Sequence, residues 1–241
     1  MSWEKKQFLR TEMMLGAEAM ERLRAAHVAV FGLGGVGGYA VEGLARAGVG
    51  ALTLVDHDTI SLTNLNRQIG AAYSTLRMEK ADVTARRVRD INPACRVYAK
   101  KVYYDGSNRD IFFEEAQYDY IVDAIDLVSC KLDLIETALS KGVPIISSMG
   151  TGNKLDGSAF RVADISETTG CPLARVIRKE LRQRGILRHQ VVYSPERPVQ
   201  TEQREAPPPG RRSVPASVPW VPAAAGLLLS GAVAMAICGG K

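Results

Sequence analysis

The run Gly32-Leu33-Gly34-Gly35-Val36-Gly37 fits a G-x-G-x-x-G turn through Gly32, Gly34 and Gly37, with Gly35 inside it. Glycine is needed where the backbone must approach a phosphate or sugar with no side chain between them. A helix starting in such a turn also presents free N–H groups to an anion. Asp56 follows Gly37 by nineteen residues, where an acid can accept hydrogen bonds from a ribose hydroxyl. Asp58, Asn64, Arg67 and Gln68 come next, and then Lys80. An NAD-dependent oxidoreductase has no use for a second acid, an asparagine and an arginine here, whereas a triphosphate does. Arg67 can fork onto phosphate oxygens, Asn64 can bind an oxygen or order a metal-bound water, and Lys80 adds a second positive charge. Asp126 offers a hard carboxylate suited to Mg²⁺. ATP with Mg²⁺ is the ligand this set predicts. Each residue has a plainer role open to it: Asp58 capping a turn, Lys80 solvated on a helix, Asp126 as a helix N-cap. Their order along one sheet edge is what favours a shared site.

Those residues must be held by alternating strands and helices. Short helical character over 17–24 precedes a buried strand at 27–31, the glycine turn, a helix at 39–47 and a second strand at 51–55. A helix at 78–91 stops at Asn92-Pro93, and strands are expected at 96–102, 118–124, 143–148 and 159–164, with a helix at 131–141. The expected class is α/β: a Rossmann-like, mostly parallel sheet with helices on both faces, an antiparallel extension and a C-terminal helix. Residues 1–241 read as one unit, with a nucleotide-binding core over 1–166. A basic helix, a Pro-rich connection and the C-terminal helix occupy 167–241. Eight of the eleven prolines fall between Pro195 and Pro222, which predicts a long connection, mobile in part.

With 241 residues, 46% of them hydrophobic, the chain can bury a substantial core, and a net charge of +5 permits an anionic partner without requiring one. No apolar stretch follows the first lysines, so no secretory signal is expected. Cys95, Cys130, Cys171 and Cys238 lie far apart, which argues against a disulfide scaffold and against paired-cysteine zinc. The cytoplasm is the expected compartment. The uncharged run Val218–Cys238 approaches a spanning length. Pro219 and Pro222 interrupt its start while Gly and Ala dilute it, so a buried helix over Ala223–Ile237 is favoured and membrane contact is not expected.

Together, the glycine turn, Asp56-His57-Asp58, Asn64-Leu65-Asn66-Arg67-Gln68, Lys80 and Asp123-Ala124-Ile125-Asp126 resemble the ThiF/MoeB/HesA superfamily. These are adenylating relatives of the ubiquitin-activating enzymes. The resemblance implies ATP–Mg²⁺ binding and adenylation of a carboxylate with release of pyrophosphate. It implies that Arg67 and Lys80 hold phosphates, Asp56 the ribose and Asp126 the metal. It also implies that Arg10 reaches the triphosphate of a partner subunit, so that the working unit is a homodimer. Leu127 departs from relatives that carry a polar residue there.

The superfamily divides by acceptor. Activators of ubiquitin-like sulfur carriers usually hold zinc with two C-x-x-C pairs, which this sequence lacks. The stretches Ala124-Ile125-Asp126, Cys171-Pro172-Leu173-Ala174-Arg175 and Ser217-Val218-Pro219-Trp220-Val221-Pro222 are similar to the tRNA threonylcarbamoyladenosine dehydratase family. That resemblance implies adenylation of the threonyl carboxylate of a modified adenosine beside the anticodon, then ring closure with loss of AMP. An activator of a ubiquitin-like carrier is the alternative, and a sulfur-transfer protein is a further candidate partner. Arg175, Arg178, Lys179 and Arg182 fall at helical spacings that share a face. Such a stripe either tracks tRNA phosphates or is a solvated face of a basic protein. Cys171, at the start of that helix, is expected to be structural.

Overall fold

The computed structural model describes residues 6–114, 116–204, 206 and 214–239. Helices α1 (Leu9–Leu15) and α2 (Ala17–Ala25) lead into strand β1 (His27–Phe31), then α3 (Gly37–Ala47), β2 (Ala51–Val55), α4 (Lys80–Ile91) and β3 (Arg96–Lys100). A short α5 (Asp110–Phe113) precedes β4 (Tyr120–Asp123), α6 (Val128–Ser140) and β5 (Ile145–Ser148). Strand β6 (Arg161–Asp164), α7 (Pro172–Gln183), β7 (Gln190–Tyr193) and α8 (Trp220–Ile237) complete the α-helices and strands of the described residues.

The seven strands form one sheet in the order β3-β2-β1-β4-β5-β7-β6, all parallel but for β6, which runs antiparallel to β7. Strand order therefore reverses between β1 and β4, and the carboxyl ends of those two strands open the crevice where such sheets bind ligands. Alternate residues of β1 feed opposite layers. Val28 and Val30 pack with α3, α4 and α8, while Ala29 and Phe31 pack with α6 and α7. Because β7 lies inside the sheet, between β5 and β6, the sheet is not complete at residue 166.

Helix α8 runs along α3 with almost no space between them. A Cβ on Gly226 would stand 2.3 Å from the Val36 carbonyl oxygen, and one on Gly43 would stand 2.1 Å from Ser230 Oγ. Its start is earlier than the prolines suggest. Pro222 is accommodated in the first turn, where a backbone N–H has no intrahelical acceptor to lose. By length and composition this is one helix able to cross a membrane, and 44% of that span is buried in the fold. The Pro-rich connection is fastened at several points. Val199 N–H donates to the Asn153 carbonyl at 2.7 Å, and Ala216 N–H donates to Asn153 Oδ1 at 2.7 Å. Residues 207–213 of that connection lie outside the described set.

Candidate nucleotide and carboxylate site

At the crevice is a cavity of about 750 Å³. Gly32, Gly34, Gly35, Asp56, Asp58, Asn64, Arg67, Gln68, Lys80 and Asp126 all line it. Gly37 does not: a Cβ there would meet the Gly32 carbonyl oxygen at 1.8 Å, so this glycine closes the turn on itself. Gly32 has φ +87°, and a Cβ would stand 2.7 Å from the Ala124 carbonyl oxygen, which locks the end of β1 against the loop after β4. Gly34 differs from both, since a Cβ would make only an ordinary contact with Gln68 Nε2 at 3.8 Å. What a side chain at Gly34 would take is cavity space.

Asp56 is a strut as well as a wall. Its Oδ2 accepts the Leu33 N–H at 2.6 Å and its Oδ1 accepts the Asp58 N–H at 2.9 Å. Each oxygen keeps a second lone pair for a ligand hydroxyl. Lys80, only 8% exposed, pairs with Asp58 Oδ2 at 2.7 Å, and His57 Nε2 lies 3.2 Å from Asp58 Oδ1. Asp56, His57 and Asp58 thus bring metal-ligand atoms within 4.8 Å of one another, but the backbone and Lys80 already engage both carboxylates. Arg67 Nη1 donates to the Thr63 carbonyl at 2.9 Å and to Asn66 Oδ1 at 2.8 Å. Asn64 Oδ1 accepts the Ser61 N–H at 3.2 Å, shaping the turn that presents Arg67.

Asp126 stands exposed in the loop between β4 and α6, three residues past the strand's last residue rather than at its end. It is not the helix N-cap; Leu127 is, without a side-chain cap. Tyr103 is near it. That tyrosine shares a 3.3 Å hydrogen bond with Cys130 Sγ, and its ring meets His57 edge-on at 4.7 Å. The Cys130 hydrogen bond, with burial and the charge of Asp126 adding to it, pushes the Tyr103 phenol up to about 12.

Neither Arg10 nor the basic residues of α7 line this cavity. Arg10 is exposed on α1, whose neighbours Gln7 and Phe8 touch Ile91 and Gly48 at the other end of the sheet, so it does not line the cavity of its own chain. Arg178 leaves the basic stripe: its Nη1 donates to the Thr168 carbonyl at 2.7 Å and to Thr168 Oγ1 at 2.6 Å. Arg175, Lys179 and Arg182 remain exposed on α7. Cys171 is the buried N-cap of α7 and borders the cavity.

Sequence reasoning missed Lys154. It lines the cavity, is 2% exposed and donates to the carbonyl oxygens of Ser194 and Glu196. Nothing in its neighbourhood of turn-forming residues signals burial, because its partners lie some forty residues away.

The chain matches the ThiF family over residues 8–238. It is 41% identical over 238 residues to the tRNA threonylcarbamoyladenosine dehydratase of Bacillus subtilis, covering 95% of this chain and 93% of that protein. It is 38% identical to the Escherichia coli enzyme of the same name, covering 71% of this chain and 64% of that one. The crystal structure of the E. coli tRNA N6-threonylcarbamoyladenosine dehydratase in complex with ATP superimposes with a TM-score of 0.87. It is 32% identical, and the match covers 98% of this chain and 95% of that one. The AMP complex gives a TM-score of 0.88.

Proposed function

Because the chain belongs to the ThiF family, we propose that it is an ATP-dependent tRNA threonylcarbamoyladenosine dehydratase. The observation that carries this is the single cavity at the strand-order reversal, where glycine turn, paired acids, arginine, lysine and Asp126 converge. That set occurs in a chain 41% identical along nearly its whole length to a dehydratase of that name. The missing C-x-x-C pairs argue against a zinc-bearing activator of sulfur carriers.

The chemistry would run in two steps. A threonyl carboxylate oxygen attacks the α-phosphorus of ATP, the bond to the bridging oxygen breaks, and pyrophosphate leaves with the electron pair. The carbamoyl group of the same nucleoside then attacks the activated carbonyl carbon. AMP departs with its oxygen, a proton is lost and the ring closes, so the nucleoside loses one water.

In this reading the backbone at Gly34 and Gly35 lies against the phosphates, and Asp56 accepts from the ribose while it braces the turn. Arg67 exchanges its local acceptors for phosphate oxygens, and Lys80 supplies charge from beneath, oriented by Asp58. The exposed carboxylate of Asp126, facing a triphosphate across the cavity, is a hard oxygen donor of the kind Mg²⁺ takes. A bound Mg²⁺ would offset the triphosphate charge and that of the departing pyrophosphate. Arg10, remote from its own cavity, suits a homodimer in which it serves the partner's. Met13 and Met14, 78% and 85% exposed beside it, offer apolar surface for that contact. Arg175, Lys179 and Arg182 extend from the cavity rim along α7 to receive the anticodon arm. A tRNA substrate makes the cytoplasm the place of action.

The test is mass analysis of nucleosides from tRNA carrying threonylcarbamoyladenosine after incubation with the protein and ATP–Mg²⁺. A product lighter by one water, formed only with ATP, is expected. Unchanged nucleoside, with pyrophosphate exchange appearing only when a ubiquitin-like carrier is added, would overturn it.

A further inference from the structure

The cavity has two unlike halves. One is made by the ends of β1 and β2 and the loop through Lys80, and holds the residues proposed for the nucleotide. The other is made by the loop 148–154 after β5, the start of α7, and Pro198, Val214, Pro215 and Ser217 of the returning chain. Among the described residues lining this second half, Lys154 carries the one charged side chain.

Its setting is unusual for a lysine. Nζ donates to the Ser194 carbonyl at 3.3 Å and to the Glu196 carbonyl, both neutral acceptors. The Glu196 carboxylate is engaged by backbone instead, accepting the Leu155 N–H at 2.9 Å and the Asp156 N–H at 3.2 Å. Burial lowers the pKa of the Lys154 ammonium from its ordinary value, and nearby Cys171 and Glu196 only partly oppose that. An ammonium needs three acceptors and, when buried, a counter-charge. Next to it α7 begins, a twelve-residue helix with no side chain capping its first N–H groups. The lysine's loop lies close to that helix end: a Cβ on Gly150 would be in ordinary contact, at 3.6 Å, with both Cys171 Sγ and Leu173 Cβ. Both features favour an anion, and the cavity joins them to the nucleotide half.

We propose that Lys154, with the uncapped start of α7 beside it, forms the subsite that receives the reacting carboxylate of the substrate and turns it toward the nucleotide. This rests on the adenylation reading above. Lys154 holds one carboxylate oxygen, and the other stays free to attack phosphorus. The backbone carbonyls of Ser194 and Glu196 fix the ammonium, so little reorganisation is needed when substrate arrives.

The experiment compares wild type with Lys154→Met and Lys154→Gln. Affinity is measured for ATP, for tRNA bearing the threonylcarbamoyl group, and for the same tRNA without it. Wild type should prefer the carboxylate-bearing tRNA. The variants should lose that preference by ~10–100-fold, the range of one charge-assisted hydrogen bond, while binding ATP and unmodified tRNA as before. A preference kept intact, or ATP affinity falling in parallel, would overturn the proposal. Should the Met variant not fold, the Gln variant keeps a donor for the two carbonyls. Methyl-esterified substrate then gives a readout on unaltered protein, and it must bind no better than unmodified tRNA. Failure of wild type to remove water from the modified nucleoside would instead sink the dehydratase reading, whatever position 154 does.

Discussion

Lys131 Nζ lies 2.6 Å from Asp123 Oδ2, and neither side chain is exposed at all. The other oxygen of Asp123 accepts the Ile125 N–H at 3.0 Å. A fully buried ion pair therefore clamps the loop that presents Asp126. Lys131→Met strands the carboxylate without its counter-charge and should cost ~3–5 kcal/mol, read as a lower urea midpoint. Adding Asp123→Asn should return most of that loss, because an uncharged pair of similar volume carries no unpaired buried charge.

The glycines of the turn should separate into two kinds. Gly37→Ala drives a Cβ into the Gly32 carbonyl oxygen at 1.8 Å, so the expected result is poorly folded protein. Gly34→Ala meets only Gln68 at 3.8 Å and should leave the thermal midpoint near wild type. Its loss should appear in ATP binding, measured by calorimetry, as a weakening of at least ~10-fold.

His189 supplies a pH dependence. Its ring Nε2 lies 2.7 Å from Ser147 Oγ, and burial, with the charge of Lys131 adding to it, lowers its pKa from 6.5 to about 3. Below pH 6.5 the unfolded chain binds a proton that the folded chain refuses until about 3. The contribution to stability is therefore complete above 6.5 and is lost progressively as pH falls toward 3. Urea titrations at pH 7 and pH 5 should differ by ~2 kcal/mol from this group, and His189→Gln should shrink the difference.

On α7, the triple replacement of Arg175, Lys179 and Arg182 by alanine should weaken tRNA binding and flatten its salt dependence. The slope of log K against log salt should fall by ~2–3, with ATP affinity unchanged. Arg178→Ala should behave differently. It removes the donor to the Thr168 carbonyl and hydroxyl, so thermal stability should drop while the salt slope stays.

If Arg10 completes the partner's site, two inactive proteins should restore one another. Arg10→Ala mixed with Asp126→Ala should regain up to ~25% of activity, because a dimer of both types holds one intact site. No recovery in subunits shown to exchange would remove the shared-site arrangement.

The strands from β1 to β5 and the longer helices α3, α4 and α6 could be read from the sequence because hydrophobic periodicity and the glycine turn are local signals, whereas the four-residue α5 could not. Strand β7 could not. Its four residues follow a charged helix and precede prolines, and only pairing with β5 and β6 makes them a strand. The same holds at the site. Asp56, Arg67 and Lys80 belong to a contiguous motif, whereas Lys154 acquires its burial from Ser194 and Glu196, which chain pattern does not link to it. Arg178 shows the converse. Helical spacing placed it on an exposed face, and a turn at Thr168 came within its reach.

The close fit of α8 against α3 has a bearing on synthesis. The glycine turn and α3 emerge from the ribosome long before residues 220–237 are made. Until then the face of α3 that takes Gly226 and Ser230 is uncovered. Pro222 also belongs to that late segment, and its ring is what would meet a Cβ on Gly35, at 3.2 Å. A nascent chain halted before Trp220 would carry every phosphate-facing residue and still lack the wall behind its glycine turn. The cavity wall is thus completed late, when the chain returns to cover the segment with which the fold began.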